Sequence, residues 1–190
     1  MPKVKNNLIK EQLKKIEIGI VTRRDTSENL VKFVYLAIGS NLGNKRMNIE
    51  RAKYELSQKN IKILVSSSYY ESLSWPNPKN PKFLNIVLKI STNIKPLDLL
   101  EICKKIEEKL GRKKTSRNSP RKCDIDLIDY DKRIMKNEII LPHPRMQDRN
   151  FVLFPLFEID KNWIHPITKN NIKKLILSLP NIDITSIKQI

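Results

Sequence analysis

Phe33-Val34-Tyr35-Leu36-Ala37-Ile38 runs directly into Gly39-Ser40-Asn41-Leu42-Gly43. An unbroken apolar run of this length reads as a strand buried on both faces, and the glycine-bounded segment behind it turns the chain sharply. Ile49, Ala52 and Leu56 then recur at helical spacing, which predicts an amphipathic helix over Asn44 to Lys59. Ile61 to Tyr70 is rich in β-formers and predicts a second strand, followed by a loop punctuated by Pro76, Pro78 and Pro81. Phe83 to Ile90 predicts a third. Pro96 suits a helix's first turn, and Leu99, Ile102, Cys103, Ile106 and Leu110 repeat at three and four up to Gly111. Lys113 to Lys122 reads as a loop, Asp124 to Tyr130 as a strand, and Ile134 to Leu141 as its hairpin partner. Short helices are expected near Arg145 to Ile159 and Ile172 to Leu179. The order strand, helix, strand, strand, helix, strand predicts an α+β fold: a ferredoxin-like antiparallel sheet in a single domain, with helices on one face.

The chain has 190 residues, enough for one domain with a sizeable core. Residues 1–32 read as a basic N-terminal extension of unknown role, 33–180 as the folded domain and 181–190 as a C-terminal tail. The net charge of +17, from 37 basic against 20 acidic residues, calls for an anionic partner: nucleic acid, a membrane surface or a polyphosphate. Cys103 and Cys123 form neither a disulfide framework nor a CxxC metal pattern. No run approaches the ~18 apolar residues of a membrane span, and the first residues lack the apolar core of a signal peptide. The expectation is a reduced, cytoplasmic protein that does not engage a membrane.

Asp124-Ile125-Asp126 follows Ser119-Pro120-Arg121 in the most basic stretch of the chain. On a strand, the two carboxylates share a face while Ile125 turns into the core. Such a pair can hold Mg²⁺, which takes one or two carboxylates and completes its shell with water and substrate phosphate. A bare Asp-x-Asp is also common as two acids that neutralise nearby lysines. Lys109, Arg112, Lys113, Lys114, Arg117, Arg121 and Lys122 place seven cations and no acid just ahead of it. A basic loop feeding paired carboxylates suits a polyphosphate–Mg²⁺ substrate. Nucleic-acid binding would use the same run but would add aromatic residues for stacking, and this loop has none. Neither a P-loop nor a Gly-rich kinase loop is present, so a phosphate site would be built from side chains. His143, between Pro142 and Pro144, could donate to a phosphate oxygen or be a surface residue. Phe83 with Asn85, and Phe151 behind Arg149, could stack on and read a flat heterocycle, or belong to the core.

Tyr35-Leu-Ala-Ile-Gly-Ser-Asn-Leu-Gly43, Ser67-Ser-Tyr-Tyr-Glu-Ser72, Phe83-Leu-Asn85, Ser119-Pro-Arg-Lys-Cys-Asp-Ile-Asp126, Leu141-Pro-His-Pro-Arg-Met146 and Arg149-Asn-Phe151 resemble, in order and spacing, the 6-hydroxymethyl-7,8-dihydropterin pyrophosphokinase family. The likeness runs from about Val34 to Pro166. It implies a ferredoxin-like enzyme of folate biosynthesis that moves a pyrophosphoryl group from ATP to the pterin's hydroxymethyl oxygen and releases AMP. By the resemblance, Asp124 and Asp126 would hold two Mg²⁺ ions. Arg112 and Arg121 would act catalytically beside them. Glu107, Arg117, Arg121, His143 and Arg149 would bind ATP, while Ser72, Leu73, Trp75, Phe83, Asn85 and Phe151 would form the pterin site. The implied partners are ATP and the pterin, with no specific nucleic acid, in a monomer. Two departures stand out: Asn118-Ser119 replaces the family's usual Trp-Gly before Pro120, and Lys104 replaces a common glutamine.

Overall fold

The computed structural model describes residues 30–75, 77–112 and 119–190. Arg117 and Asn118, like most of the basic extension, lie outside the described residues. Lys32–Ile190 form one compact unit. Its elements are β1 (Lys32–Ser40), α1 (Lys45–Ser57), β2 (Lys62–Ser66), β3 (Tyr70–Ser72), β4 (Phe83–Thr92), α2 (Pro96–Lys109) and β5 (Asp124–Tyr130). After these come β6 (Met135–Lys136), β7 (Ile140–Leu141), a 3₁₀ turn (Met146–Asp148), α3 (Asn150–Ile159), α4 (Ile172–Leu177), α5 (Asn181–Ser186) and β8 (Lys188–Gln189).

β1 lies at the centre of the sheet, antiparallel to β4 on one side and β5 on the other. β2 and β3 both pair with β4 along its length. This is the strand order of the ferredoxin-like plan. The segment expected as one strand over Ile61 to Tyr70 breaks at its serines. Ser67 exchanges backbone and side-chain hydrogen bonds with Val87, its N–H donating to the Val87 carbonyl and its Oγ accepting from the Val87 N–H, both at 2.9 Å. Ser68 turns outward, its N–H and Oγ donating to the Glu158 carboxylate. Ile134 to Leu141 does not add to β5; β6 and β7 pair with each other instead. Residues 181–190, read as a tail, form α5 and β8, and β8 pairs with β3 at the sheet edge.

Helices cover both faces of the sheet rather than one. Val34, Leu36 and Ile38 of β1 pack into a core with Ile49, Ala52 and Leu56 of α1 and Leu99, Cys103 and Ile106 of α2. The alternate residues Tyr35 and Ala37 pack on the other side with Val87, with Val152, Leu153 and Leu156 of α3, and with Trp163. The apolar run of β1 is what a strand so enclosed requires, because every side chain from Val34 to Ile38 leaves water, while Phe33 at its start stays exposed. Local signals set the helix starts: Asn44 Oδ1 accepts from the Met47 N–H at 3.0 Å, and Pro96 opens α2.

Candidate active site

Pairing register explains where the site lies. Ala37 stands between Val87 and Asp126, and Gly39 between Asn85 and Asp124. Residues opposite one another across antiparallel strands share a face, so Phe83, Asn85, Gly39, Asp124 and Asp126 all project to the side covered by α3. The α3 layer packs over Tyr35, Ala37 and Val87 and stops there. Beyond it the row Asn85–Gly39–Asp124 opens into a cleft of about 950 Å³. Ile125, turned the other way, is 4 % exposed in the core, so the strand geometry expected of Asp124-Ile125-Asp126 is the geometry observed.

Gly39 keeps the middle of that row clear. A Cβ there would lie 2.9 Å from Asn85 Oδ1 and 3.3 Å from Phe83 Cδ1. Asn85 donates through Nδ2 to the Ser72 Oγ at 3.0 Å and the Tyr70 carbonyl at 3.3 Å, which fixes its amide and leaves Oδ1 as the acceptor over Gly39. Ser72 therefore supports the cleft from beneath rather than lining it, and half-buried Leu73 does not line it either. Phe83, Phe151 and Trp75 do.

The residues expected to bind phosphate converge on the two aspartates. Arg112 Nη1 reaches Asp124 Oδ1 at 2.7 Å and also pairs with Glu107. Arg121 Nη2 reaches Asp124 Oδ2 at 2.8 Å, and Arg149 Nη1 reaches Asp126 Oδ2 at 2.6 Å. Three guanidiniums thus face three carboxylates. The Nε atoms of Arg121 and Arg149 are buried with no hydrogen-bond partner. A buried N–H left unmatched is costly, and both of these belong to arginines that line the cleft. Arg121 also lies over the Phe83 ring at 5.5 Å and Arg149 over Phe151 at 5.5 Å, linking the charged half to the aromatic half.

Burial raises the Asp124 carboxyl, with Asp126 adding to the shift and Arg121 and Arg112 opposing it. Burial likewise pushes Glu107 up to about 7, opposed by the Ile125 N–H that donates to its Oε1 at 2.6 Å. His143 lies within the Leu141–Arg145 segment, whose Leu141–Pro142 bond is cis. Its Nδ1 accepts from the Arg145 N–H at 3.2 Å, so the neutral ring carries its proton on Nε2, 4.0 Å from Asp126 Oδ2. Burial lowers its pKa and Asp126 partly offsets that, which favours the neutral donor form.

Two contributors escape a reading by motif alone. Gly39 and Asn41 sit in the quoted glycine segment, but their parts come from register and from backbone contacts. Asn41 is 2 % exposed and hydrogen-bonds to Arg121 and Pro81.

Comparison with known proteins identifies the family. The profile of 7,8-dihydro-6-hydroxymethylpterin-pyrophosphokinase (HPPK) matches residues 35–161. The chain belongs to the HPPK family. An HPPK relative, the 2-amino-4-hydroxy-6-hydroxymethyldihydropteridine pyrophosphokinase of Aquifex aeolicus, is 37 % identical over 74 % of this chain and 88 % of its own length. The Haemophilus influenzae protein of the same name is 36 % identical over 70 % of this chain and 84 % of its own. The Dictyostelium discoideum folic acid synthesis protein FOL1 is 43 % identical over 78 % of this chain, which spans only 22 % of that protein. Among solved structures, a variant Plasmodium falciparum HPPK-DHPS crystallised with pterin and p-hydroxybenzoate superimposes with a TM-score of 0.66, covering 85 % of this chain and 48 % of that one. At 15 % identity this likeness speaks of the fold alone. Among the described residues, no helix is long and apolar enough to cross a membrane.

Proposed function

We propose that the chain transfers a pyrophosphoryl group from ATP to 6-hydroxymethyl-7,8-dihydropterin, giving the pterin diphosphate and AMP, a step of folate biosynthesis. The observation that carries this reading is the row Asn85–Gly39–Asp124, which sets a heterocycle-reading amide and a paired-carboxylate centre two strand spacings apart in one cleft. Family membership supports the same reading.

The pterin lies between Phe83 and Phe151, with its ring N–H groups donating to Asn85 Oδ1. Its hydroxymethyl oxygen then points along the sheet toward Asp124. That oxygen attacks the β-phosphorus of ATP; the bond from this phosphorus to the α–β bridging oxygen breaks, AMP departs with the electron pair, and the hydroxyl proton passes to solvent. Arg121 and Arg149 donate guanidinium N–H groups to phosphate oxygens from the cleft wall, and His143 donates from Nε2. Arg112, at the start of the basic loop, binds the polyphosphate from the α2 side, and Glu107 positions it. Asp124 and Asp126 form the hard-oxygen donor set that Mg²⁺ prefers, and two such ions would neutralise charge on the phosphates and on the attacking oxygen. The protein supplies mainly position and fixed charge, as expected for phosphoryl-type transfer.

An end-point assay with ATP, the pterin and Mg²⁺ tests the reading. It predicts AMP and pterin diphosphate, with neither formed when Mg²⁺ is chelated; release of ADP would overturn it.

A further inference from the structure

Asn41 stands in the turn after β1, 2 % exposed, and its polar atoms join two segments distant in sequence. Its Oδ1 accepts from the Arg121 N–H at 2.7 Å, and its own N–H donates to the Arg121 carbonyl at 3.1 Å. Its Nδ2 donates to the Pro81 carbonyl at 3.1 Å. Arg121 belongs to the phosphate half of the cleft. Pro81 stands two residues before Phe83, which belongs to the ring-stacking half. The turn itself is held by Asn48 of α1, whose Nδ2 donates to the Leu42 carbonyl at 2.9 Å and the Ser40 Oγ at 3.2 Å.

We propose that Asn41 is a positioning residue that couples the two substrate halves, so that nucleotide held by Arg121 strengthens pterin binding at Phe83 and the pterin strengthens nucleotide binding equally. The proposal rests on the reaction given above. The physical basis is a shared buried amide: shifting the Arg121 backbone toward a bound phosphate moves the same group that fixes Pro81. Leaving either buried partner unmatched carries a penalty. Thermodynamic linkage then makes the effect reciprocal.

Asn41→Asp separates the two arms. Its carboxylate still accepts from the Arg121 N–H, but it loses the donor to Pro81 and sets an oxygen against that carbonyl. Asn41→Ala removes both side-chain arms. Pterin affinity would be measured by fluorescence titration with and without Mg²⁺ and α,β-methylene-ATP. In the unaltered protein the analogue should tighten pterin binding by about tenfold, within the usual range of coupling between sites. In Asn41→Asp the gain should fall to about twofold or less, with analogue affinity alone within about twofold of the unaltered protein. Asn41→Ala should weaken both ligands. A role in stability alone would lower the melting temperature and leave the coupling ratio unchanged, and that outcome overturns the proposal. So does an unaltered protein that binds both ligands without coupling, even if it forms AMP. If the unaltered protein binds neither ligand and forms no AMP, the reaction and the coupling fall together. Hydrogen exchange needs no variant: pterin alone should slow exchange of the Arg121 amide, and unchanged protection there also sinks the idea.

Discussion

Arg149 Nη1 holds Asp126 Oδ2 at 2.6 Å while the Nε of the same guanidinium is buried and unmatched. One end of the fork is committed to a carboxylate; the other carries a donor that no neighbouring group among the described residues uses. A planar group can serve a carboxylate and a phosphate together because its donors diverge in fixed directions. Arg149 is only 8 % exposed, so its hold on Asp126 lies away from bulk water.

Arg149→Lys should therefore fail to rescue Arg149→Ala. An ammonium keeps the charge but cannot hold Asp126 and present a second, rigid donor. Both variants are expected to lose roughly 10²–10³-fold in kcat/KM, the usual scale for removing one charge-stabilising donor. Steady-state kinetics on the two variants checks this, and a lysine variant near full activity would contradict it.

Asp124→Ala and Asp126→Ala should each lower turnover by roughly a thousandfold or more, the several kcal/mol that a bound metal contributes to charge stabilisation. Their effects on nucleotide should differ from those of a simple site lesion. Without Asp124, Arg112 and Arg121 lose a shared counter-ion. Metal-free ATP is then expected to bind more tightly than to the unaltered protein. Calorimetric titration in the presence of a chelator measures this directly.

Gly39→Ala probes the ring half alone. The added methyl would meet Asn85 Oδ1 at 2.9 Å and Phe83 Cδ1 at 3.3 Å, both on a rigid central strand. Overpacking of this kind costs ~1–3 kcal/mol. The pterin KM should rise about tenfold or more while the ATP KM stays within about twofold. A rise confined to ATP would place the pterin elsewhere.

The acid limb of stability should depend on His165. This histidine is 5 % exposed, stands edge-on to Trp163 at 5.7 Å, and accepts at Nδ1 from the Ile167 and Thr168 N–H groups, each at 3.2 Å. Burial lowers its pKa below the ordinary 6.5; Asp129 opposes the shift and Lys132 adds to it. Protonation therefore favours the unfolded chain. The stability that the neutral ring supports is present above pH ~6.5 and declines as pH falls through that value toward the lower folded-state pKa. His165→Gln should flatten the difference in urea midpoint between pH 7.5 and pH 5.5 relative to the unaltered protein. An identical slope in both proteins would rule this out.

The sheet and the charged centre were legible because their signals are local. The period-free apolar run of β1, the 3–4 spacing of α2 and the Asp-x-Asp pattern each report geometry within a few residues. The side on which helices pack is not local. Tyr35 and Ala37 meet α3 and Trp163, more than a hundred residues away, so helices on one face was the simpler expectation. The break at Ser67 and Ser68 was equally hidden, because β-propensity carries no record of Val87 or Glu158. At the site, Phe83, Asn85, Asp124, Asp126, His143, Arg149 and Phe151 share one cleft. Ser72 acts through Asn85, a contact that only the β3–β4 register reveals.

The central place of β1 also sets a schedule for synthesis. Val34 pairs with Ile90 on one side and with Tyr130 on the other. On a ribosome adding ~5–20 residues per second, β1 waits roughly 5–20 seconds between its own emergence and that of β5. Through that interval the strand carrying Gly39 has an open, apolar edge, the condition that invites pairing with a neighbouring chain. Yield in a cell is therefore expected to hinge on how fast residues 124–130 arrive and dock, a kinetic demand that the finished enzyme no longer displays.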